Sequence, residues 1–194
     1  MTNLTKWQLI NRWVDKTPYL LLSMGVCIFG LTIISPIWLT KKLDKTITLS
    51  AEDTQVLGPV DIASQSFGTT RVEVEAQLGN QRWAIYEVQL LDRDDRLVLA
   101  GVKNAWRESG TWSEDGESGT WEEADKGSGF DLHLRQAEPV KIVVSLVEVS
   151  DTQGRVLQEP VKLRVTVYQG AIETLPLWLG ASSLIIIGGL RLRK

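Results

Sequence analysis

The sequence predicts a mainly β protein, an antiparallel β-sandwich inserted between two transmembrane α-helices. Three observations predict it. Two long stretches, residues 18–40 and 175–190, carry no charge. The 129 residues numbered 46–174 hold 12 basic and 22 acidic side chains, so the acidity of the chain is concentrated between the apolar stretches. That middle region also alternates apolar and polar residues with a period of two, and no stretch of it shows a convincing helical period.

The first apolar segment reads PYLLLSMGVCIFGLTIISPIWLT, 23 residues, which as a helix reaches roughly 34 Å against a hydrocarbon core of about 30 Å. Thr17 and Pro18 form an N-cap and first-turn pair, and Pro36 should kink or end the helix near Ser35. Trp13 and Tyr19 stand at one end and Trp38 at the other, as in the aromatic belts of membrane interfaces. No small-x-small cleavage site follows, so the segment reads as a signal anchor. Cys27 within it reads as a small apolar filler. The second segment, LPLWLGASSLIIIGGL, has 16 residues and reaches only about 24 Å. Arg191, Arg193 and Lys194 can snorkel at one end and Trp178 can anchor the other, which favours a span over a buried helix, a strand or a re-entrant segment. Gly180, Gly188 and Gly189 would permit close helix approach, although no Gly-x-x-x-Gly spacing occurs.

The expected organisation is a basic tail over 1–17, a span over 18–40, an acidic β-sandwich domain over 41–174, a span over 175–190 and a basic tail over 191–194. Residues 4–16 fit either an interfacial helix or an extension of the first span. Two spans leave both termini on one side, and the basic tails favour the cytoplasm, with residues 41–174 outside; Lys41, Lys42 and Lys45 argue the other way. The last strand runs almost directly into the second span, which would hold the domain close to the bilayer.

Strands are expected from Arg71 to Leu78, Arg82 to Leu91, Arg96 to Val102, Phe130 to Leu134, Val140 to Val149 and Val161 to Tyr168, with turns at Gly79-Asn80, Asp92–Asp95 and Asp151–Gly154. Seven to nine short strands suit a sandwich or barrel.

A nine-residue repeat stands out: ESGTWSEDG, residues 108–116, is followed by ESGTWEEAD, residues 117–125. Asp115-Gly116 is two-residue hairpin chemistry, which sets 114 opposite 117 and 111 opposite 120. The plain reading is a solvated acidic hairpin whose Trp112 and Trp121 pack on the sandwich. Two sharper readings stand beside it. The carboxylates Glu108, Glu114, Asp115, Glu117, Glu122, Glu123 and Asp125 could supply oxygens to calcium, though without the EF-hand spacing. Trp112 and Trp121 could instead form a platform for a sugar ring or a protein partner. Paired carboxylates suit glycoside hydrolysis only at a fixed separation, and a Gly/Ser-rich hairpin is a poor scaffold for that.

Composition argues against other classes. One cysteine and one histidine exclude a disulfide framework and two-histidine metal motifs. A net charge of −3 leaves no bulk basic footprint for nucleic acid. Gly127-Ser128-Gly129 lacks a phosphate-binding pattern, His133 should face solvent, and Asn3-Leu4-Thr5 falls in a tail placed inside. No cofactor and no enzymatic activity are expected. The expected partners are the lipid bilayer and other membrane proteins, with an extracytoplasmic ligand-binding role for the 108–125 hairpin as the alternative.

The order of Trp112, Glu114, Gly116, Gly119, Trp121 and Glu122, then the strand at 130–134, then VTVYQG at 165–170 before an apolar helix, resembles the membrane-anchored β-sandwich part of uncharacterised bacterial membrane proteins. The resemblance covers roughly residues 80–194. It implies a bacterial envelope location and a role in membrane complexes or envelope stress, and it brings no catalytic residues; the expected location is a bacterial inner or internal membrane.

Overall fold

The computed structural model describes residues 16–64, 68–133 and 136–192. The interfacial-helix reading of residues 4–16 and the Trp13 anchor thus lie outside the described residues, apart from Lys16. Leu134, Arg135, Arg193 and Lys194 lie outside them too. The chain divides into two compact units, residues 1–37 with 172–194, and residues 38–171.

The first unit is a pair of apolar helices, α1 (Thr17–Ile34) and α2 (Thr174–Leu192). Both are long and apolar enough to cross a membrane. Lys16, not Thr17, occupies the N-cap of α1 and makes no side-chain capping bond, while Pro18 falls in the first turn, where its missing N–H costs nothing. The α-helix ends at Ile34. Pro36 cannot donate the next hydrogen bond and disfavours the helical conformation at Ser35, so a 3₁₀ turn, Ser35–Trp38, follows. Leu39 and Thr40 leave the helical segment altogether, and Thr40 already begins a strand. Helix α2 has 19 residues, three more than the apolar run, because it takes in Thr174, Arg191 and Leu192. At 1.5 Å per residue it reaches about 28 Å, close to a full hydrocarbon thickness.

The helices are antiparallel and share a seam of small residues. Pro18, Gly25 and Thr32 are the buried residues of α1, and Ala181 and Gly188 those of α2. Each is seven positions from the next, the repeat that keeps one stripe facing a partner. A Cβ on Gly25 would stand 2.7 Å from Ile185 Cγ1, and one on Gly188 would stand 2.9 Å from Leu22 Cγ. Gly188 therefore permits close approach as expected. Gly180 and Gly189 face open space, and the partner glycine is Gly25. Cys27 is exposed on the helix surface, not a packing filler.

The second unit is a sandwich of two antiparallel sheets. Its strands are β1 (Thr40–Leu49), β2 (Thr54–Ile62), β3 (Thr69–Gln77), β4 (Arg82–Leu91), β5 (Leu97–Glu114), β6 (Glu117–Asp125), β7 (Gly127–Leu132), β8 (Glu138–Asp151) and β9 (Val161–Ala171). One sheet has the order β1-β9-β3-β7 and the other β2-β8-β4-β5-β6. Alternation in β3 buries Val72, Val74 and Ala76, and alternation in β8 buries Val140, Ile142 and Val144. Together with Val88, Leu90, Leu146, Leu163 and Val165 they form one core between the layers. Each such buried Val, Leu or Ile side chain contributes about 1.5–3 kcal/mol of transfer free energy.

Tyr86 crosses this core. It is fully buried, and its Oη donates to Val74 O at 2.9 Å while standing 3.2 Å from Lys126 O and 3.3 Å from Ser128 Oγ. Burial pushes its phenol up to about 12.

Acidic side chains fix the turns. Asp151 Oδ1 accepts the N–H groups of Gln153 and Arg155, and its Oδ2 accepts Arg155 Nε at 2.7 Å. Asp92 Oδ1 accepts the N–H groups of Asp94 and Arg96. On the other sheet Asp44 holds Arg164 through two bonds of 2.9 and 2.8 Å and Lys41 through a third. These bonds favour the ionised form, so all three carboxyls are held below the usual range. A folded carboxyl with a lowered pKa contributes stability that is present above the unfolded value and lost as pH falls. The β domain is therefore expected to lose thermal stability progressively between about pH 5 and pH 2. Asp151→Asn should lower the midpoint at pH 7 and flatten that acid limb. A melting series against pH checks both, and an unchanged slope in the variant would refute the assignment.

Candidate functional site

The candidate site is the outward face of the β4–β5–β6 ribbon. Strand β4 alternates, sending Ala84, Tyr86, Val88 and Leu90 into the core, so Trp83 and Ile85 point outward. Trp83 lies directly opposite Trp106 of β5. Their rings stack, with centroids 6.1 Å apart and planes 26° from parallel. Trp83 Nε1 donates to Glu108 Oε1 at 2.7 Å, which satisfies the indole donor and fixes the carboxylate on the same face.

Strand β5 has 18 residues, and β4 ends opposite Arg107. Beyond that point β5 pairs only with β6, so residues 108–123 form a two-stranded arm. Its seven residues from Glu108 to Glu114 span roughly 23 Å at about 3.3 Å each. The arm turns at Asp115-Gly116, which have φ of 49° and 85°, with Glu114 opposite Glu117 and Thr111 opposite Thr120. That is the register expected from the Asp-Gly pair. The base is fastened from the other face. Arg107 binds Glu122 Oε1 at 2.9 Å and Leu78 O at 3.3 Å, Asn80 Nδ2 donates to Ser109 Oγ at 2.5 Å, and Gln81 Nε2 donates to Ser109 O.

The repeat has a geometric meaning. Gly110 lies opposite Trp121 and Gly119 opposite Trp112. The Gly-x-Trp of each copy is thus clasped by the Gly-x-Trp of the other, as a local two-fold about the turn requires. Each indole lies on the glycine across from it. A Cβ on Gly110 would come within 2.6 Å of Trp121 Nε1, and one on Gly119 within 2.7 Å of Trp112 Nε1. Trp112 and Trp121 therefore cover backbone within the arm and do not pack on the sandwich, contrary to the plain expectation. They remain 45% and 41% exposed.

Residues directly opposite share a face. Trp83, Trp106, Trp112 and Trp121, the four tryptophans carried by strands among the described residues, thus line one outward face with Glu108, Glu114, Glu117 and Glu123 among them. Sequence reasoning singled out Trp112 and Trp121 but missed Trp83 and Trp106 as site residues.

The other predicted site residues fall as follows. The carboxylates proposed for calcium are spread along the arm. Glu122 is engaged by Arg107, Asp125 by Lys103 at 2.5 Å and Glu108 by Trp83, and no group of three acidic, histidine or cysteine side chains among the described residues is placed to hold a metal ion. His133 is exposed just beyond β7. Tyr19 and Trp38 are exposed at the two ends of the first helical segment. Trp178 packs edge-on against Phe29 of α1, with centroids 4.2 Å apart, while remaining 41% exposed. A cleft lined by Lys42, Lys45, Pro59 and Asp61 contains none of the predicted site residues.

No protein-family model matches the chain, and no curated protein matches it. Among solved structures it is similar to the infectious bursal disease virus VP2 subviral particle, with 11% identity and a TM-score of 0.28 over 66% of this chain and 33% of that one. It is also similar to the T=1 particles derived from infectious bursal virus, with 11% identity and a TM-score of 0.29 over 66% of this chain and 32% of that one. The Gx strain of the virus gives 15% identity and a TM-score of 0.25 over 69% and 36%. The chain thus spans about a third of the length of these structures.

Proposed function

We propose that this chain is a non-enzymatic membrane protein, anchored by α1 and α2, whose β-sandwich serves as the interaction module of an accessory subunit in a membrane complex. The observation that carries the reading is the tryptophan face. Four indoles on one outward face are costly to leave in water, and tryptophan is enriched at the centres of protein interfaces. In this reading the helix pair sits in a bacterial inner or internal membrane, both termini are cytoplasmic, and residues 41–174 lie outside.

Purification of the full chain in mild detergent, with mass spectrometry of what accompanies it, tests the module. The expected result is stoichiometric recovery of other membrane proteins, lost in Trp83→Leu/Trp106→Leu and kept in Lys162→Gln, which alters an exposed position on the other sheet. Recovery unchanged by the tryptophan substitutions would refute this use of the face. Digestion of the β domain in inverted vesicles combined with protection in spheroplasts would refute the orientation.

A second reading has one observation in its favour. The near-parallel Trp83–Trp106 pair is a surface on which a sugar ring can stack, so the domain would be a glycan-binding module. Titration with oligosaccharides separates it from the first reading.

A further inference from the structure

The arm formed by residues 108–123 contains two tryptophans and six carboxylates, and it has no lysine or arginine. On its tryptophan face the side chains are Glu108, Trp112, Glu114, Glu117, Trp121 and Glu123, with glycines at 110 and 119. Glu114, Glu117 and Glu123 have no basic partner among the described residues. Strand β6 is the last strand of its sheet: it pairs with β5, and among the described residues no strand pairs on its other side. A free strand edge is a template for a further strand, and its acidic side chains repel a like strand.

These features are complementary to one kind of partner. Indole faces attract guanidinium and ammonium groups through the ring quadrupole, and interleaved carboxylates bind the same cations. A strand presents alternate side chains to one face, so cations at alternate positions of an added strand would run past Glu117, Gly119, Trp121 and Glu123 of β6 in that order. A second copy of the arm brings only more carboxylates and is disfavoured. We propose that the arm binds an extended segment of a partner protein bearing arginine or lysine at alternate positions, which adds to the free edge of β6. The proposal rests on the interaction-module reading and names the chemistry of its partner.

The test uses the full chain in detergent micelles and an alternating Arg-Thr octapeptide as probe, followed by tryptophan fluorescence and calorimetry. Binding is expected, weakening at least tenfold between 50 and 300 mM salt (an order-of-magnitude expectation for exposed charges). Two variants should each lose at least about tenfold in affinity. Glu114→Gln/Glu117→Gln/Glu123→Gln removes charge and keeps the tryptophans. Trp112→Leu/Trp121→Leu removes the rings and keeps the charge. Circular dichroism and an unchanged melting midpoint show that each variant folds. Absence of binding, equal binding of an alternating Glu-Thr octapeptide, binding only of a linear hexasaccharide, or self-association through the arm would each overturn the proposal. If co-purification of a membrane complex is lost in the tryptophan variants but survives the glutamine substitutions, the interaction module stands and the cationic partner fails.

Discussion

Tyr86→Ala should destabilise the β domain by about 3–5 kcal/mol, and Tyr86→Phe by about 1–2 kcal/mol. The larger figure combines lost apolar contact with a cavity between the sheets, since Tyr86 is among the largest fully buried side chains. The smaller isolates the hydroxyl. It has one proton, which goes to Val74 O at 2.9 Å, and Ser128 Oγ at 3.3 Å can donate back to the phenolic oxygen. Lys126 O has its own donor, the Ala76 N–H at 2.9 Å, so the phenylalanine variant loses only the bond to Val74 O, a single neutral hydrogen bond. Alkaline pH adds an independent check. The unfolded phenol ionises near 10, whereas the folded one holds its proton up to about 12. The unfolded state therefore binds fewer protons in that window, and stability falls as pH rises through it. Urea denaturation at pH 8 and pH 11 should show this loss in the parent chain and less of it in Tyr86→Phe. Equal losses in the two would show that the hydroxyl does not link the sheets.

Gly101→Ala should cost about 1–3 kcal/mol, although it adds a single methyl group. Gly101 sits where the ring of Phe130 on β7 crosses to β5, and a Cβ there would lie 2.6 Å from Phe130 Cε1 and 2.7 Å from Cζ. A ring met edge-on at that distance must leave its place. Phe130→Leu alone should also destabilise. If the two positions share one volume, the double variant should be more stable than the sum of the single effects predicts, by about 0.5 kcal/mol or more. Strict additivity in a double-mutant cycle by urea denaturation would refute the contact.

Most of the sandwich was legible because alternation reports burial on one face, as in β3 and the start of β9, and because Val140–Val149 of β8 is a long apolar run. The first two strands were not. Strand β1 carries three lysines and an aspartate, residues depleted from strands, and buries only Ile47 and Leu49. Strand β2 contains Gly58-Pro59, and its register with β8 shifts between Leu57 and Val60. Asp115-Gly116 set the arm's register correctly because a two-residue turn admits few geometries. The Trp83–Trp106 pair was hidden by an irregularity. Counting outward from a turn at Asp92–Asp95 sets Trp83 opposite Asn104; the turn takes in Arg96 as well, so that Leu91 pairs with Leu97, and the register slip between Leu90 and Leu91 adds the second residue that brings Trp106 there. The continuity of β5 from Leu97 to Glu114 was hidden for a related reason. Gly101, Gly110 and a run of polar residues interrupt its alternation, so it reads as a short strand followed by a separate hairpin.

The pairing of β1 with β9 has a mechanical consequence. These strands are antiparallel neighbours, with Thr40 beside Gln169 and Leu49 beside Val161. The chain therefore enters β1 and leaves β9 at the same end of the sheet. A force drawing those two points apart loads the ladder one rung at a time, as a zipper is opened, and does not shear all the rungs together. Peeling would begin at Thr40–Gln169, uncover the half-buried Leu43, pass the Asp44–Arg164 clasp and then reach the buried Ile47 and Leu49. The sandwich is thus softest along the line joining its two connections, and it stays closed while those connections remain about one strand spacing, about 4.8 Å, apart.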